Sequence, residues 1–116
     1  MLEVKESKKY GEDIHLKFYN DDEYCGDLIY RYTLSDNVYI RMIRVLKKFR
    51  RRGIARKIIL FVDELYPMAE YIGGSSKPNS EAMGFWKSMG AEFVGDWEEL
   101  LEKQELIPFG IFKINR

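Results

Sequence analysis

The tightest constraint on how this chain can fold is a change of period near its middle. Asn37-Val-Tyr-Ile-Arg-Met-Ile-Arg-Val-Leu46 is rich in β-branched and aromatic residues and alternates over part of its length, the pattern of a strand. From Gly53 onward, Ile54, Ile58, Phe61, Val62 and Leu65 recur at spacings of three and four, the pattern of a helix, and Pro67 supplies a stop. The chain must pass from one to the other through Lys47-Lys-Phe-Arg-Arg-Arg-Gly53. A helix N-terminus is therefore delivered at the end of a strand, inside a cluster of positive charge.

The first backbone N–H groups of a helix have no partner within it, and with the helix dipole they favour an anion. Gly53 has no Cβ to hold a ligand off, and Ala55 keeps the next approach open. Arg50, Arg51, Arg52, Arg56 and Lys57 add charge, and arginine pairs well with phosphate oxygens. The segment reads as a cradle for a diphosphate. Neither Gly-x-Gly-x-x-Gly nor Gly-x-x-x-x-Gly-Lys-[Ser/Thr] occurs, so a Rossmann fingerprint and a P-loop are both excluded.

What stands there instead, Arg50-x-x-Gly53-x-Ala55, resembles the [Arg/Gln]-x-x-Gly-x-[Gly/Ala] signature of the GNAT superfamily of N-acetyltransferases. Val45 and Phe49 extend the match to that family's Val-x-x-x-[Tyr/Phe]-Arg arrangement at the end of its fourth strand. A second stretch, Asn79-x-x-Ala82-x-x-Phe85-Trp86-x-x-x-Gly90, is similar to its later Asn-x-x-Ala-x-x-[Leu/Phe]-[Tyr/Trp]-x-x-x-Gly helix. The two motifs come in the family's order, and the resemblance covers about Tyr39 to Gly95.

Composition fits one small domain, residues 1–116. With 46% hydrophobic and 15% aromatic residues the chain can bury a single core. The lone Cys25 forms no internal disulfide, and no apolar N-terminal stretch suggests a signal peptide or a membrane span, so the reducing cytoplasm is the expected location. Formal net charge is zero, yet seven of the 19 basic residues lie between Lys47 and Lys57, leaving 12 elsewhere against 19 acidic ones. The molecule is expected to be polarised, a basic focus on a mildly acidic body.

Strands are expected at Ile14 to Tyr19, Tyr24 to Leu34 and Val38 to Leu46, with turns at Asn20-Asp-Asp-Glu23 and Ser35-Asp-Asn37. A helix over Arg52 to Tyr66 precedes a short strand, Glu70 to Ser76, whose Gly73-Gly74 marks a bulge or a close ligand approach. Asn79 caps a helix that runs to about Met89 and ends at Gly90. Ala91 to Gly95 is strand-like. Asp96-x-x-Glu99 is a capping pair for a helix through Leu106, and Phe109 to Ile114 is a last strand. This order matches an α/β (α+β) GNAT-like acyl-CoA N-acyltransferase fold, a mixed, mostly antiparallel twisted sheet flanked by helices. It departs from the family at the N-terminus: only thirteen residues precede Ile14, so the usual first two helices are absent. In the family these wall one side of the acceptor site. A protein acceptor that brings its own wall, a partner subunit (a homo-oligomer included), or the absence of any acceptor would each fit.

The resemblance implies acetyl-CoA as cosubstrate, no metal, and direct transfer of acetyl to a primary amine such as a protein lysine or N-terminus. It places the cofactor against Ile43, Arg44, Val45, Arg50, Arg51, Arg52, Gly53, Ile54, Ala55, Arg56, Asn79, Phe85 and Trp86. A backbone N–H near Ile43 to Val45 would meet the thioester oxygen, the amine needs a base and the leaving thiolate an acid. Trp86 stands where many relatives carry the acidic Tyr, and its indole is too weak an acid. Tyr71, Ser75 or water would substitute. Tyr39 stands where some relatives carry a basic Glu, and its ordinary pKa near 10 makes it a poor base. Glu23, Asp27, Glu70 and Glu81 are further candidates, none singled out by position. Two other functions compete. One is a non-catalytic CoA-binding or partner-binding module, favoured by Trp86 and the missing helices. The other is a nucleic-acid-binding domain using Lys47 to Lys57, which has no need of the tight Gly-x-Ala turn. The plainer readings of single residues are a core role for Phe85 and Trp86, an inert buried thiol at Cys25 and a strand histidine at His15, without metal-ligand spacing around it.

Overall fold

The computed structural model describes residues 1–33 and 37–112. The expected turn at Ser35-Asp-Asn37, the end of the second expected strand at Leu34 and the end of the last one at Ile114 fall wholly or partly outside these residues. The N-terminal part is a meander of four antiparallel strands: β1 (Leu2–Tyr10), β2 (Asp13–Asn20), β3 (Glu23–Tyr32) and β4 (Val38–Val45). A 3₁₀ turn at Lys47–Phe49 leads to α1 (Ile54–Leu65), followed by β5 (Tyr71–Ser76), α2 (Ser80–Ser88), β6 (Ala91–Phe93), α3 (Trp97–Glu102) and β7 (Ile107–Phe112). The sheet order is β1-β2-β3-β4-β5-β7-β6, antiparallel throughout except for the parallel pair β4 and β5. This is the mixed, mostly antiparallel sheet that the sequence implies.

Sequence reasoning did not find β1. Its residues Leu-Glu-Val-Lys-Glu-Ser-Lys-Lys-Tyr are mostly polar and exposed, and only Leu2 and Val4 pack against the core. That suits a sheet edge, where charged side chains discourage pairing with another chain. The link from β1 to β2 is Gly11-Glu12, with Gly11 in the left-handed region at φ 59°. Among the described residues no helix precedes β4.

Register assigns the core to one sheet face. Leu16 and Phe18 on β2, Leu28 and Tyr30 on β3, Val38 and Ile40 on β4, Ile72 on β5 and Ile107, Phe109 and Ile111 on β7 are all buried. Both longer helices cover this face. Phe61 of α1 meets Phe18 edge-on at 5.5 Å between ring centroids, and Trp86 of α2 stacks on Phe109 at 4.2 Å. Stacked aromatic pairs of this kind add about 0.5–1.5 kcal/mol beyond the area they bury. The opposite face carries Asp13, His15, Lys17, Asp27, Ile29, Arg31, Tyr39, Met42, Arg44, Tyr71, Gly73 and Ser75, the alternate residues of β2 to β5.

Several boundaries differ from expectation for physical reasons. Helix α1 starts at Ile54 rather than Arg52, because Arg51 and Gly53 both take positive φ. The Gly73-Gly74 pair forms no bulge, since the β5 to β7 register is unbroken from Tyr71 to Ser76. The close approach comes from the protein itself: a Cβ on Gly74 would lie 3.0 Å from both the Ile40 carbonyl oxygen and the Phe109 ring. On Gly73 it would lie 3.0 Å from the Tyr71 ring. Asp96 is the N-cap of α3 but its side chain makes no capping bond, and the helix stops at Glu102 rather than Leu106. Gln104 turns left-handed there, and Glu105 N–H donates back to the Leu100 carbonyl. Strand β6 ends at Phe93, and β7 begins at Ile107, two residues earlier than expected.

The tightest glycine is Gly26, where a Cβ would sit 2.3 Å from the Arg44 carbonyl oxygen, a backbone atom that cannot yield. Gly26→Ala is expected to lower stability by about 2 kcal/mol or more, beyond the range of an ordinary surface change. Urea unfolding of the variant beside Gly84→Ala, whose Cβ would meet nothing within 4 Å, checks it.

Candidate functional site

Strands β4 and β5 pair only at Val38 with Ile72, Tyr39 with Gly73 and Ile40 with Gly74. Asn37 reinforces this short ladder, its Oδ1 accepting from Tyr71 N–H at 3.3 Å. Beyond Ile40, β4 stays on β3 as far as Val45, while β5 stays on β7 as far as Ser76. The two strands therefore part, and the β5-facing edge of β4 from Arg41 to Val45 is left without a ladder. The backbone N–H groups of Ile43 and Val45 lie on this open stretch, while Arg44 between them faces β3.

A bulge sits at the fork. Ile29 pairs with Met42 and Tyr30 with Ile40, which leaves Arg41 as the extra residue. The inward positions of β4 consequently change phase, from Val38 and Ile40 to Ile43 and Val45. That shift is visible in the sequence as the adjacent apolar residues Met42-Ile43, the signal that would have revealed it.

At the far end of β4 the basic turn closes onto the open edge. Gly53 is the N-cap of α1, at φ 74° and ψ 15°, with nothing within 4 Å of where a Cβ would be. No side chain caps this helix and no acidic residue lies in its first turn. Its first intrahelical bond is from Lys57 N–H to the Gly53 carbonyl, so the N–H groups of Ile54, Ala55 and Arg56 have no helical acceptor. Arg51 and Arg52 are exposed beside them. Such a terminus can hold an anion by N–H donation and charge.

Four of the expected cationic contacts are partly committed elsewhere, the Arg52 guanidinium lying over the Phe49 ring, 5.5 Å from its centroid. Arg50 Nε donates to the Val45 carbonyl at 3.1 Å, latching the turn to β4. Arg56 Nη1 lies 3.4 Å from Met89 Sδ, at the end of α2. Arg44 turns to the outward face, donating to Asp27 Oδ2 at 2.7 Å and the Tyr24 hydroxyl at 3.0 Å, and its carbonyl faces Gly26 on β3, so the expected cofactor contact at Arg44 does not lie on the fork. On α2, Asn79 Oδ1 accepts from Ala82 N–H at 2.8 Å as the expected cap. Phe85 meets Trp86 edge-on at 4.9 Å, and Trp86 is 5% exposed, so its ring serves the core.

The residues considered for acid and base work come together on the outward face. Tyr39 pairs directly with Gly73, and Tyr71 lays its ring over that same glycine. Ser75 is exposed two residues further along β5. Around them runs a lattice of ion pairs that composition did not reveal: Arg31 with Asp13 and Glu12, Arg44 with Asp27, and Lys17 with Glu6. Asp27 is buried although no helix covers it, held by Arg44 and by a hydrogen bond from Tyr24. Burial, and next the bond to Asp27, raises the Tyr24 hydroxyl above its ordinary pKa. His15 Nε2 is 3.8 Å from Asp27 Oδ1 and has no hydrogen-bond partner among the described residues. Cys25 is buried against the Phe18 carbonyl and burial raises its pKa, which keeps it a protonated, unreactive thiol. Among the described residues no group of His, Cys, Asp or Glu is placed to hold a metal ion, and no helix is long and apolar enough to cross a membrane.

No protein-family model matches the chain, and a search of curated proteins gave no match. Solved structures do match. An acetyltransferase of Bacillus subtilis in complex with CoA superposes with a TM-score of 0.76 at 12% identity, over 97% of both chains. A provisionally assigned streptothricin acetyltransferase of Bacillus anthracis, in complex with acetyl coenzyme A, gives 0.72 at 17% identity over 90% of this chain. Naa50 of Arabidopsis thaliana, with a bisubstrate analogue, gives 0.64 at 22% identity over 83% of this chain and 70% of its own. The chain spans 65% of the Bacillus anthracis protein and 66% of a nourseothricin acetyltransferase that it also matches. At these identities the likeness shows a shared fold.

The Asp13 carboxyl is held below its ordinary value of 3.8, first by the hydrogen bond from Arg31. A carboxyl whose pKa falls on folding stabilises the fold above its unfolded value and loses that contribution as pH drops through the folded one. An NMR titration of the Asp13 side chain should give a midpoint below 3.8, and Arg31→Gln should bring it back toward that value. An unchanged midpoint in the variant would mean that the pair does not hold in solution.

Proposed function

From a chain that has the fold of the GNAT N-acetyltransferases, we propose an enzyme that transfers acetyl from acetyl-CoA to a primary amine by direct attack. The observation that carries this reading is the uncapped α1 N-terminus at Gly53, set at the end of a strand that parts from its parallel neighbour. The diphosphate of the cofactor would lie on the N–H groups of Ile54, Ala55 and Arg56, with Arg51 and Arg52 beside it. Its pantetheine arm would run along the open edge of β4. There a backbone N–H of Ile43 or Val45 would donate to the thioester oxygen as it gains charge. Asn79 and Phe85, across the fork on α2, would border the same channel.

The amine would come from the outward face, where Tyr39, Tyr71 and Ser75 stand near the fork. It must lose a proton to attack, and the thiolate must gain one to leave. The three hydroxyls can relay these protons with water. Because no helix walls this face among the described residues, an amine on a polypeptide, a lysine or an N-terminus, is the favoured acceptor. Two similar structures support this choice, a ribosomal-protein-S18-alanine N-acetyltransferase of Escherichia coli by its name and Naa50 by the bisubstrate analogue CoA-Ac-MVNAL bound to it. We place the reaction in the cytoplasm on the evidence of the single unpaired cysteine.

One observation favours a second reading, a CoA-binding module without chemistry. Trp86 occupies the position where the resemblance calls for an acidic Tyr, and its ring is stacked on Phe109 in the core. Trp86→Tyr separates the two. Acetyl transfer that speeds up severalfold in the variant would mean that an acid was lacking, whereas the same rate would assign the proton to water or to Tyr71. A binding module would release no CoA from acetyl-CoA before or after the change.

Calorimetry with acetyl-CoA, CoA and ATP tests the main proposal. The acetyl-CoA and CoA are expected to bind and ATP to bind less tightly. At a hundred times its dissociation constant the ligand should add about 2.7 kcal/mol of stability, a shift of several degrees in a domain this size. Gly53→Glu should abolish binding while the melt stays cooperative, since it puts bulk and negative charge against the diphosphate. Unchanged affinity in the folded variant would move the cofactor elsewhere, and binding of DNA that falls steeply with salt and ignores CoA would favour the nucleic-acid alternative.

A further inference from the structure

We propose that Arg41 recognises a carboxylate carried by the acceptor amine. The inference deepens the acetyl-transfer reading and rests on it, because it assigns chemistry to the acceptor side of the same fork. Position comes first. Arg41 is the residue that the β4 bulge adds, immediately after Ile40, the last residue of β4 to pair with β5. It therefore stands where the strands begin to part, two residues before Ile43. Its side chain is 44% exposed and turned to the outward face, toward Asp13.

Occupancy comes second. Arg31 and Arg44, the other arginines of this face, are each engaged. Arg31 Nε donates to Asp13 Oδ1 at 2.5 Å, and Arg44 Nη2 donates to Asp27 at 2.7 Å. Arg41 has one described ion pair, to that same Asp13 Oδ1 at 3.9 Å, too long for a hydrogen bond and competing with the nearer Arg31. An exposed pair at this separation contributes little. The planar guanidinium thus keeps a full set of donors, the geometry that grips a carboxylate through two parallel hydrogen bonds.

The surroundings fit such a contact. Ile29 and Met42 are half-buried beside Arg41 and give an apolar floor, while Tyr39, 41% exposed, stands two residues away along β4. A charge-assisted bond made over an apolar floor is less screened than one in open water. Asp13 lies on β2, across β3 from the fork, so the weakly held guanidinium must swing back toward β5 for an amine with a carboxylate a few bonds away to rest that group on Arg41 and present its nitrogen to the fork. The α-carboxylate of a free amino acid and an acidic side chain next to a peptide N-terminus both supply this chemistry.

The test is an NMR titration of ¹⁵N-labelled protein, with and without CoA, following the Arg41 Nε–H signal. The probes are glycine against glycinamide, and Ala-Glu-Ala-amide against Ala-Gln-Ala-amide. At least one acidic probe is expected to bind about tenfold more tightly than its neutral partner. Arg41→Gln should erase the difference, and Arg41→Lys should keep part of it, with melting temperature and CoA affinity near those of the parent. Preference confined to glycine identifies a free amino acid, and preference confined to the peptide identifies an acidic polypeptide end. Equal affinities within both pairs, a preference that survives in Arg41→Gln, or no carboxylate binding at all by the folded protein would overturn the proposal. Failure of CoA to bind is read in the same samples and counts against the acetyl-transfer reading instead, since the carboxylate preference is measured in the unliganded protein as well.

Discussion

Three residue pairs, Val38 with Ile72, Tyr39 with Gly73 and Ile40 with Gly74, make up the parallel ladder of this sheet, and the site depends on that ladder stopping where it does. A longer ladder would pair the N–H groups of Ile43 and Val45 with β5 and close the open edge. A shorter one would let the two halves of the sheet separate. Its length is set by particular atoms. Gly74 admits the Ile40 carbonyl and the Phe109 ring so closely that a Cβ would lie 3.0 Å from each, Asn37 ties the start of β4 to Tyr71, and the Arg41 bulge then turns β4 away. On its other edge β4 is fastened along its whole length, because Gly26 lets β3 follow it to Val45. The strand is rigid on one side and open on the other, which suits a backbone that must present fixed donors.

Much of this was legible in the residues. The change from alternation to a spacing of three and four around Gly53 announces the turn from β4 to α1. Asn79 announces its own helix cap, and Ala82 N–H duly donates to it. Those signals are local, and local chemistry decides them. What escaped was decided by tertiary context. Strand β1 carries almost no apolar pattern because an edge strand with few core contacts needs little. Gly73-Gly74 reads as weakness in a strand, and only the position of Phe109, more than thirty residues away, shows that the glycines are steric requirements. The pairing of Asp96 with Glu99 looked like a capping box, yet the side chain of Asp96 makes no such bond. For the candidate site, the helix start near Gly53 followed from sequence, whereas the outward direction of Arg44 and the lattice of ion pairs needed register.

That lattice also bears on the absent helices. A sheet face meant to be covered is apolar, since burying charge without compensation is costly. Here the outward face of β2 to β4 pairs its charges among themselves and keeps Arg31, Arg41 and Arg44 partly in solvent.

The two-residue link between β1 and β2 has a consequence for how the molecule assembles. Strands β1 to β4 meet only their neighbours in sequence, through short connections, so their pairing closes small loops at little entropic cost. The β4 to β5 ladder instead joins residues that lie more than thirty positions apart and must wait for α1 to fold between them. The meander is thus able to form as soon as its own residues are free to pair, and the fork between β4 and β5 is among the last features to close. A chain arrested at that stage would hold most of its hairpins while lacking the fork, so the proposed cofactor site would be lost before strand content as the protein is destabilised.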